Sequence, residues 1–182
     1  MSGPNLNKVP FDIAKMFDGV ARRYDIVNDI LSLGQTKAWR GAVTGSIEPK
    51  PGMLILDLAA GTGSSTAPLA AVGAIAIPVY FSLGMLKAGR KRHPHLPFMA
   101  GDALALPFQE NTFDLTTISF GLRNTSDVDK ALREALRVAK KGGRIVIAEF
   151  SSPTWAPFRK LYTNYLMRAL PAIAKKTSSN PD

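Results

Sequence analysis

Five polar positions carry the chemistry this sequence can do. Asp57 lies four residues before Gly61 in the run MLILDLAAGTGSST, residues 53–66. Asp102 sits in Gly101-Asp102-Ala103, after a short apolar run, and Ser119 stands near the end of FDLTTISF. Arg123 and Asn124 follow Ser119 by four and five residues. Gly61 and Gly63 lack the Cβ atoms that would hold a ligand off the backbone of the turn. Strand, glycine turn and helix together form the nucleotide-binding corner of a doubly wound sheet. A carboxylate beneath such a turn, with backbone carbonyls around it, suits a ligand that presents a cation. Asp102 can accept from an adenine amino group.

These positions need a frame. Apolar runs that end in Gly-rich turns read as buried parallel strands. They are expected at 53–58, 74–79, 97–100, 113–120 and 144–150. Pro78 is awkward inside the second, because proline cannot donate to a strand ladder. Helical spacing fills the gaps. A helix is expected over 65–72, capped by Ser64 or Ser65 and ended by Gly73; another follows Ser82. Ser126 is expected to open a third, with Val128, Leu132, Ala135/Leu136 and Val138/Ala139 on its inner face and Gly142-Gly143 at its end. Residues 11–40 read as helices, with Phe11, Ala14, Phe17 and Val20/Ala21 at helical spacing and Gly34 as a break. The order βαβαβ…βαβ predicts an α/β fold, a doubly wound parallel sheet with helices on both faces.

Composition narrows the classes. A chain of 182 residues reads as one domain. It has no cysteine, hence no disulfide framework and no thiolate nucleophile or metal ligand, which suits the cytosol. No metal site is expected: His93 and His95 flank Pro94 in a loop and read as surface residues. MSGPNLNKVP at the start has no apolar core of a signal peptide. The net charge of +9 is scattered, densest at 87–92, and reads as a solvated face. Residues 58–86 carry no charge, but glycines, prolines, serines and threonines interrupt them, so they read as turn, helix and strand and not as a membrane span.

The glycine turn also says which nucleotide. A dinucleotide fingerprint wants a third glycine where this chain has Thr66. Asp-x-Ala-x-Gly-x-Gly, here Asp57 to Gly63, is the pattern of S-adenosylmethionine (AdoMet) methyltransferases. AdoMet has no phosphate and presents an ammonium, a sulfonium and an adenosine. Asp102 and Ser119 fall where a carboxylate and a hydroxyl can meet it.

At this point the sequence resembles the ubiquinone/menaquinone biosynthesis C-methyltransferases, and within them the bacterial demethylmenaquinone methyltransferases. The resemblance rests on MFDGVARRYD, NDILSLG, Trp39-Arg40, LDLAAGTG, FSLGML, GDALALPF, TISFGLRN, EFSSP and YLMRALP, spread over nearly the whole chain. It implies AdoMet contacts at Thr62, Asp102, Ala103 and Ser119, beside Asp57, Gly61 and Gly63. It implies a domain over 1–182, with a helical N-terminal lid at 11–48, a core at 52–150 and the start of a substrate-side segment at 151–182. The chain departs from the pattern twice. Tyr80 stands where the family has an acid for both ribose hydroxyls. The family also continues past Asp182 with a helix and the last strands, so the fifth strand is expected as an exposed edge, and the chain reads as a fragment, a degraded gene or a trimmed chain.

The implied reaction is methylation of a ring carbon of a polyprenylated naphthoquinol or benzoquinol. Loss of a phenolic proton makes that carbon nucleophilic, so a base or a group that positions water is needed. Arg123 with Asn124 is the candidate, as a cation that stabilises the phenolate or orients a water; its bland alternative is an ion pair. Tyr24 and Tyr162 are weaker candidates. Phe17, Phe120 and Phe158 could line a prenyl channel or simply pack. A lipid substrate implies peripheral contact with the inner face of the membrane and a cytoplasmic protein; a homodimer is left open, and no nucleic-acid platform is visible. The competing readings are a nicotinamide oxidoreductase, an RNA methyltransferase and a non-catalytic remnant.

Overall fold

A computed structural model of the chain describes residue 32 and residues 34–151, 154–157 and 159–160. Phe17, Tyr24, Phe158 and Tyr162 lie outside the described residues, as do most of the expected N-terminal lid and C-terminal segment.

Among the described residues five strands form one sheet in the order β3-β2-β1-β4-β5, every pair parallel. They are β1 (Leu54–Leu58), β2 (Ile75–Tyr80), β3 (Met99–Ala100), β4 (Phe113–Ser119) and β5 (Ala139–Ala148). Among the described residues four α-helices accompany them: α1 (Gln35–Ile47), α2 (Thr66–Ala71), α3 (Leu83–Arg92) and α4 (Val128–Val138). This is the predicted doubly wound arrangement. Alternation along β1 and β4 sends Ile55 and Leu115 to one face, where Ile47 of α1 and Leu69 of α2 cover them. Leu56, Leu58 and Ile118 go to the other, against Ala135 and Val138 of α4. Tyr80, Met85, Leu86, Leu96 and Phe98 form a third cluster around α3.

Pro78 finds a place inside β2 because of where its missing N–H would point. Ile75 N donates to Met53 O, toward β1, whereas Tyr80 O accepts from Gly101 N, toward β3. Pro78 shares the parity of Tyr80. It therefore faces β3, whose pairing begins only opposite Val79, so no ladder bond is lost. Pro68 is equally harmless, since first-turn N–H groups of α2 have no helical partner.

Several expected details are corrected. Ser65 stands at the N-cap of α2 without a side-chain bond, and Ser64 Oγ instead pairs with Thr62 Oγ1 at 3.1 Å. Asp127, not Ser126, caps α4, its carboxylate accepting from Lys130 N at 2.9 Å. The inner face of α4 is Ala131, Ala135 and Val138, with Leu132 half-buried, while Val128 and Leu136 are exposed. Small side chains let the helix lie close to the sheet, which an apolar pattern alone does not specify. That helix ends at Val138 and not at Gly142-Gly143, because Ala139 already pairs with Phe113. Residues 140–143 bulge before regular pairing resumes at Leu115↔Arg144. His93 is half-buried at the end of α3 rather than on the surface; His95 is exposed. Ser82 does cap α3, accepting from Met85 N.

Three side chains fix α1 and the β3–β4 loop. Arg144, in β5, donates to Ser46 O at 2.6 Å and Ile47 O at 3.4 Å, holding the carboxyl end of α1. Arg137 donates to Leu106 O and Phe108 O while Glu134 takes Leu106 N and pairs with Arg137. No helix among the described residues is long and apolar enough to cross a membrane.

Candidate functional site

The strand order reverses between β1 and β4, and their following helices, α2 and α4, go to opposite faces. A ligand crevice belongs above the carboxyl ends of these two strands. The turn after β1 is built for close approach: Ala59, Gly61 and Gly63 all have positive φ (56°, 59° and 77°). A Cβ on Gly63 would fall 2.6 Å from the ring of Phe98.

Asp57 lies under this turn, wholly buried and in register with Pro78 on one side and Thr117 on the other. Thr66 Oγ1 donates to its Oδ2 at 2.6 Å, and its Oδ1 has no partner among the described residues. Burial pushes the Asp57 carboxyl up to about 7, with the Thr66 bond opposing. Ser119 is two residues along β4 from Thr117, so it shares the face of Asp57 and Thr117. Thr117 Oγ1 and Ser119 Oγ are likewise buried without partners. Leaving such an atom unsatisfied costs about 1–3 kcal/mol. Asp57, Thr117 and Ser119 thus set three such oxygens on one face at the reversal of strand order.

The other expected residues fall around this row. Thr62 is buried in the turn. Asp102 follows β3, is exposed, and turns the chain by accepting Leu104 N at 2.9 Å; Ala103 is inside that turn. Arg123 and Asn124 lie in a single 3-10 turn (Leu122–Asn124) just past β4. Arg123 is exposed and its guanidinium pairs with Glu149 beyond β5, so the ion-pair reading of this residue holds as a structural fact. Glu149 also accepts from Arg123 N at 3.1 Å and Phe150 N at 3.0 Å, and its carboxyl is held below the usual carboxylate range by these bonds, against burial.

Tyr80, which the resemblance sets at the position of a ribose-binding acid, ends β2. Its ring is buried in the α3 cluster and lies 4.8 Å from that of Phe81. Thr66, at the third-glycine position of a dinucleotide fingerprint, uses its hydroxyl on Asp57, which is a different way of joining turn to helix. Sequence reasoning missed Thr117, Glu149 and the rings of Trp39 and Phe150. Thr117 and Glu149 stand inside runs that carry the resemblance, but their partners come from elsewhere in the chain.

Comparison with known proteins agrees with this fold. The sequence model of the ubiE/COQ5 methyltransferase family matches residues 5–181. A demethylmenaquinone methyltransferase from Streptomyces avermitilis is 58% identical over 182 residues, all of this chain and 79% of the relative. Among solved structures, the YcgJ protein of Bacillus subtilis superposes with a TM-score of 0.62 at 26% identity, over 72% of this chain and 58% of that one. A SAM-dependent methyltransferase from Aquifex aeolicus shares the fold, with a TM-score of 0.58 at 18% identity, over 71% of this chain and 78% of that one.

Proposed function

The chain belongs to the ubiE/COQ5 methyltransferase family, and from that premise we propose that it methylates a ring carbon of a polyprenylated quinol, demethylmenaquinol above all, with AdoMet as methyl donor. The observation that carries the proposal is the row of orphaned buried oxygens on Asp57, Thr117 and Ser119 at the reversal of strand order. A buried carboxylate oxygen without a partner suits a cationic ligand, and the glycine turn above it leaves room for one. The choice of quinol rests on the relative from Streptomyces avermitilis, which bears the name demethylmenaquinone methyltransferase.

When bound, AdoMet supplies an electrophilic methyl group. Asp57 and the carbonyls of turn 59–63 would hold its cationic end, Asp102 and Ala103 its adenine, and Ser119 and Thr62 the parts between. Arg123 stays protonated; it stabilises the quinol's phenolate or orients the water that receives the phenolic proton, with Asn124 beside it. Glu149 holds this guanidinium in place. Alignment of two bound partners supplies about 7–11 kcal/mol of such a barrier. The lipid substrate brings the protein to the inner face of the membrane from the cytoplasm, and the charge of +9 favours that anionic surface.

The test is calorimetry with AdoMet, followed by incubation with reduced demethylmenaquinone and mass spectrometry of the product. Saturable binding and a product one methyl heavier are expected. No binding, by this chain or by Tyr80→Asp, would overturn the reading and favour a non-catalytic remnant.

A further inference from the structure

β4 carries two threonines in succession, and the sheet treats them differently. Thr116 is turned to α4, where its Oγ1 donates to Ala135 O at 3.5 Å. Thr117 faces the other way, 1% exposed, in register with Asp57 of β1 on one side and Val146 of β5 on the other. Val146 offers it nothing polar, and Thr117 Oγ1 has no partner among the described residues. A valine would fill the same volume and leave no orphaned oxygen, so packing gives no reason for the hydroxyl. The neighbour with a use for a donor is Asp57, whose Oδ2 accepts from Thr66 at 2.6 Å while its Oδ1 has no partner among the described residues.

Register partners on adjacent strands stand about 5 Å apart. A turn of about 120° about χ1 moves a threonine hydroxyl to another staggered well and puts the methyl in its place, at constant volume. An anion taken out of water needs its oxygens hydrogen-bonded. We propose that Thr117 is a positioning residue: its hydroxyl turns to donate to Asp57 Oδ1 when that carboxylate ionises, so that Thr66 from α2 and Thr117 from β4 each hold one oxygen and aim the charge at the cationic end of AdoMet. The consequence for the cofactor rests on the AdoMet reading above; the bond itself does not.

No other described group competes for this role. The sheet face that holds Asp57 is covered by α2, which carries no charge, and by α1, which carries Lys37 and Arg40. On the strands, Arg144 of β5 is turned to the end of α1, and Tyr80 lies in the α3 cluster. Past the strand ends, Arg123 pairs with Glu149. The upper end of the face is aromatic. The chain turns left-handed at Phe120, with φ at 58°, which brings its ring within 6.1 Å of Trp39 and into a stack with Phe150 at 4.7 Å. Trp39 reaches this point because Arg144, early in β5, holds the far end of α1, so that α1 runs antiparallel to β5. Among the described residues, burial and the Thr66 bond are the causes of Asp57's displacement, with no charge partner.

Carbon-13 NMR of the aspartate carboxyls follows the titration directly, with the Asp57 signal assigned by its loss in Asp57→Asn. In Thr117→Val the midpoint should rise by about one pH unit, the equivalent of a hydrogen bond to a charged group. Thr117→Ser should return it to the parent's value, and Thr116→Val, on the other face, should leave it in place. At about pH 5, where Asp57 keeps its proton, Thr117→Val should melt at the parent's temperature or above it; should it not fold, Thr117→Ala carries the same titration. Calorimetric AdoMet affinity of Thr117→Val should be about three- to tenfold weaker at pH 7 and converge with the parent's well above the raised midpoint. A raised midpoint in a chain that binds no AdoMet supports the bond and sinks only the cofactor reading. An unmoved midpoint, or an equal rise in Thr116→Val, would overturn the proposal; affinity lost equally at every pH with the midpoint unmoved would make Thr117 a contact of AdoMet itself.

Discussion

The Cβ that Gly121 lacks would stand 2.3 Å from the Cβ of Ala59. The two residues belong to the turns that leave β4 and β1, the adjacent strands between which the sheet order reverses. Their near-contact sets the spacing of the turn that carries Gly61 to Gly63 and the turn that carries Arg123.

Gly121→Ala should push these turns apart. Gly121 has φ of −115°, so the effect is steric and not conformational. A loss of about 1–3 kcal/mol of stability and a weakening of AdoMet binding are expected, read by thermal melting and calorimetry. A variant with unchanged affinity would show that the spacing does not define the cofactor site.

Asp57 sets a pH dependence of unusual sign for a carboxyl. Burial raises it from 3.8 to about 7, so the native chain keeps a proton that the unfolded chain has already lost over that window. Stability contributed by this group is present at low pH and declines as pH rises from about 4 to 7, by at most about 1.4 kcal/mol per pH unit. Asp57→Asn should flatten this slope in denaturation curves. A cationic ligand favours the ionised form, so AdoMet affinity should tighten as pH rises through 7, with proton release visible as a buffer-dependent heat.

Glu134 acts in the opposite direction. Its hydrogen bonds with Arg137, chiefly, hold it down to about 2, so its contribution is present above its ordinary value of 4.5 and is lost as pH falls toward 2. Arg137→Ala should leave Leu106 O and Phe108 O without their guanidinium donor and loosen the loop that carries Asp102. The expected cost is about 1–3 kcal/mol, with weaker AdoMet binding. An unchanged proteolysis rate at 101–112 would count against the staple.

Tyr80→Asp separates the cofactor from the core. It restores a carboxylate at the family's ribose position but removes a buried ring, so the melting temperature should fall; a comparable aromatic truncation costs about 3–5 kcal/mol. AdoMet affinity measured well below that temperature should rise about ten- to hundredfold, the equivalent of a charged hydrogen bond. Equal affinities would mean that the tyrosine hydroxyl already serves the ribose, or that the acid has no part in this chain.

The sequence by itself determined the strand–turn–helix corner, the parallel order and the cation-suited carboxylate, because these follow from local apolar runs, glycines and spacing. Asp57, Asp102 and Ser119 are legible for the same reason: each lies near the carboxyl end of a strand or just past it. Long-range register decided the rest. Only pairing across β1 and β4 puts Thr117 beside Asp57 and leaves both short of partners; only the edge of β3 makes Pro78 harmless. Trp39, Phe120 and Phe150 are scattered single aromatics in the sequence, and no period links them. A helix lying antiparallel to a strand, and one left-handed turn at Phe120, bring the three rings together, and both are properties of packed elements rather than of neighbouring residues.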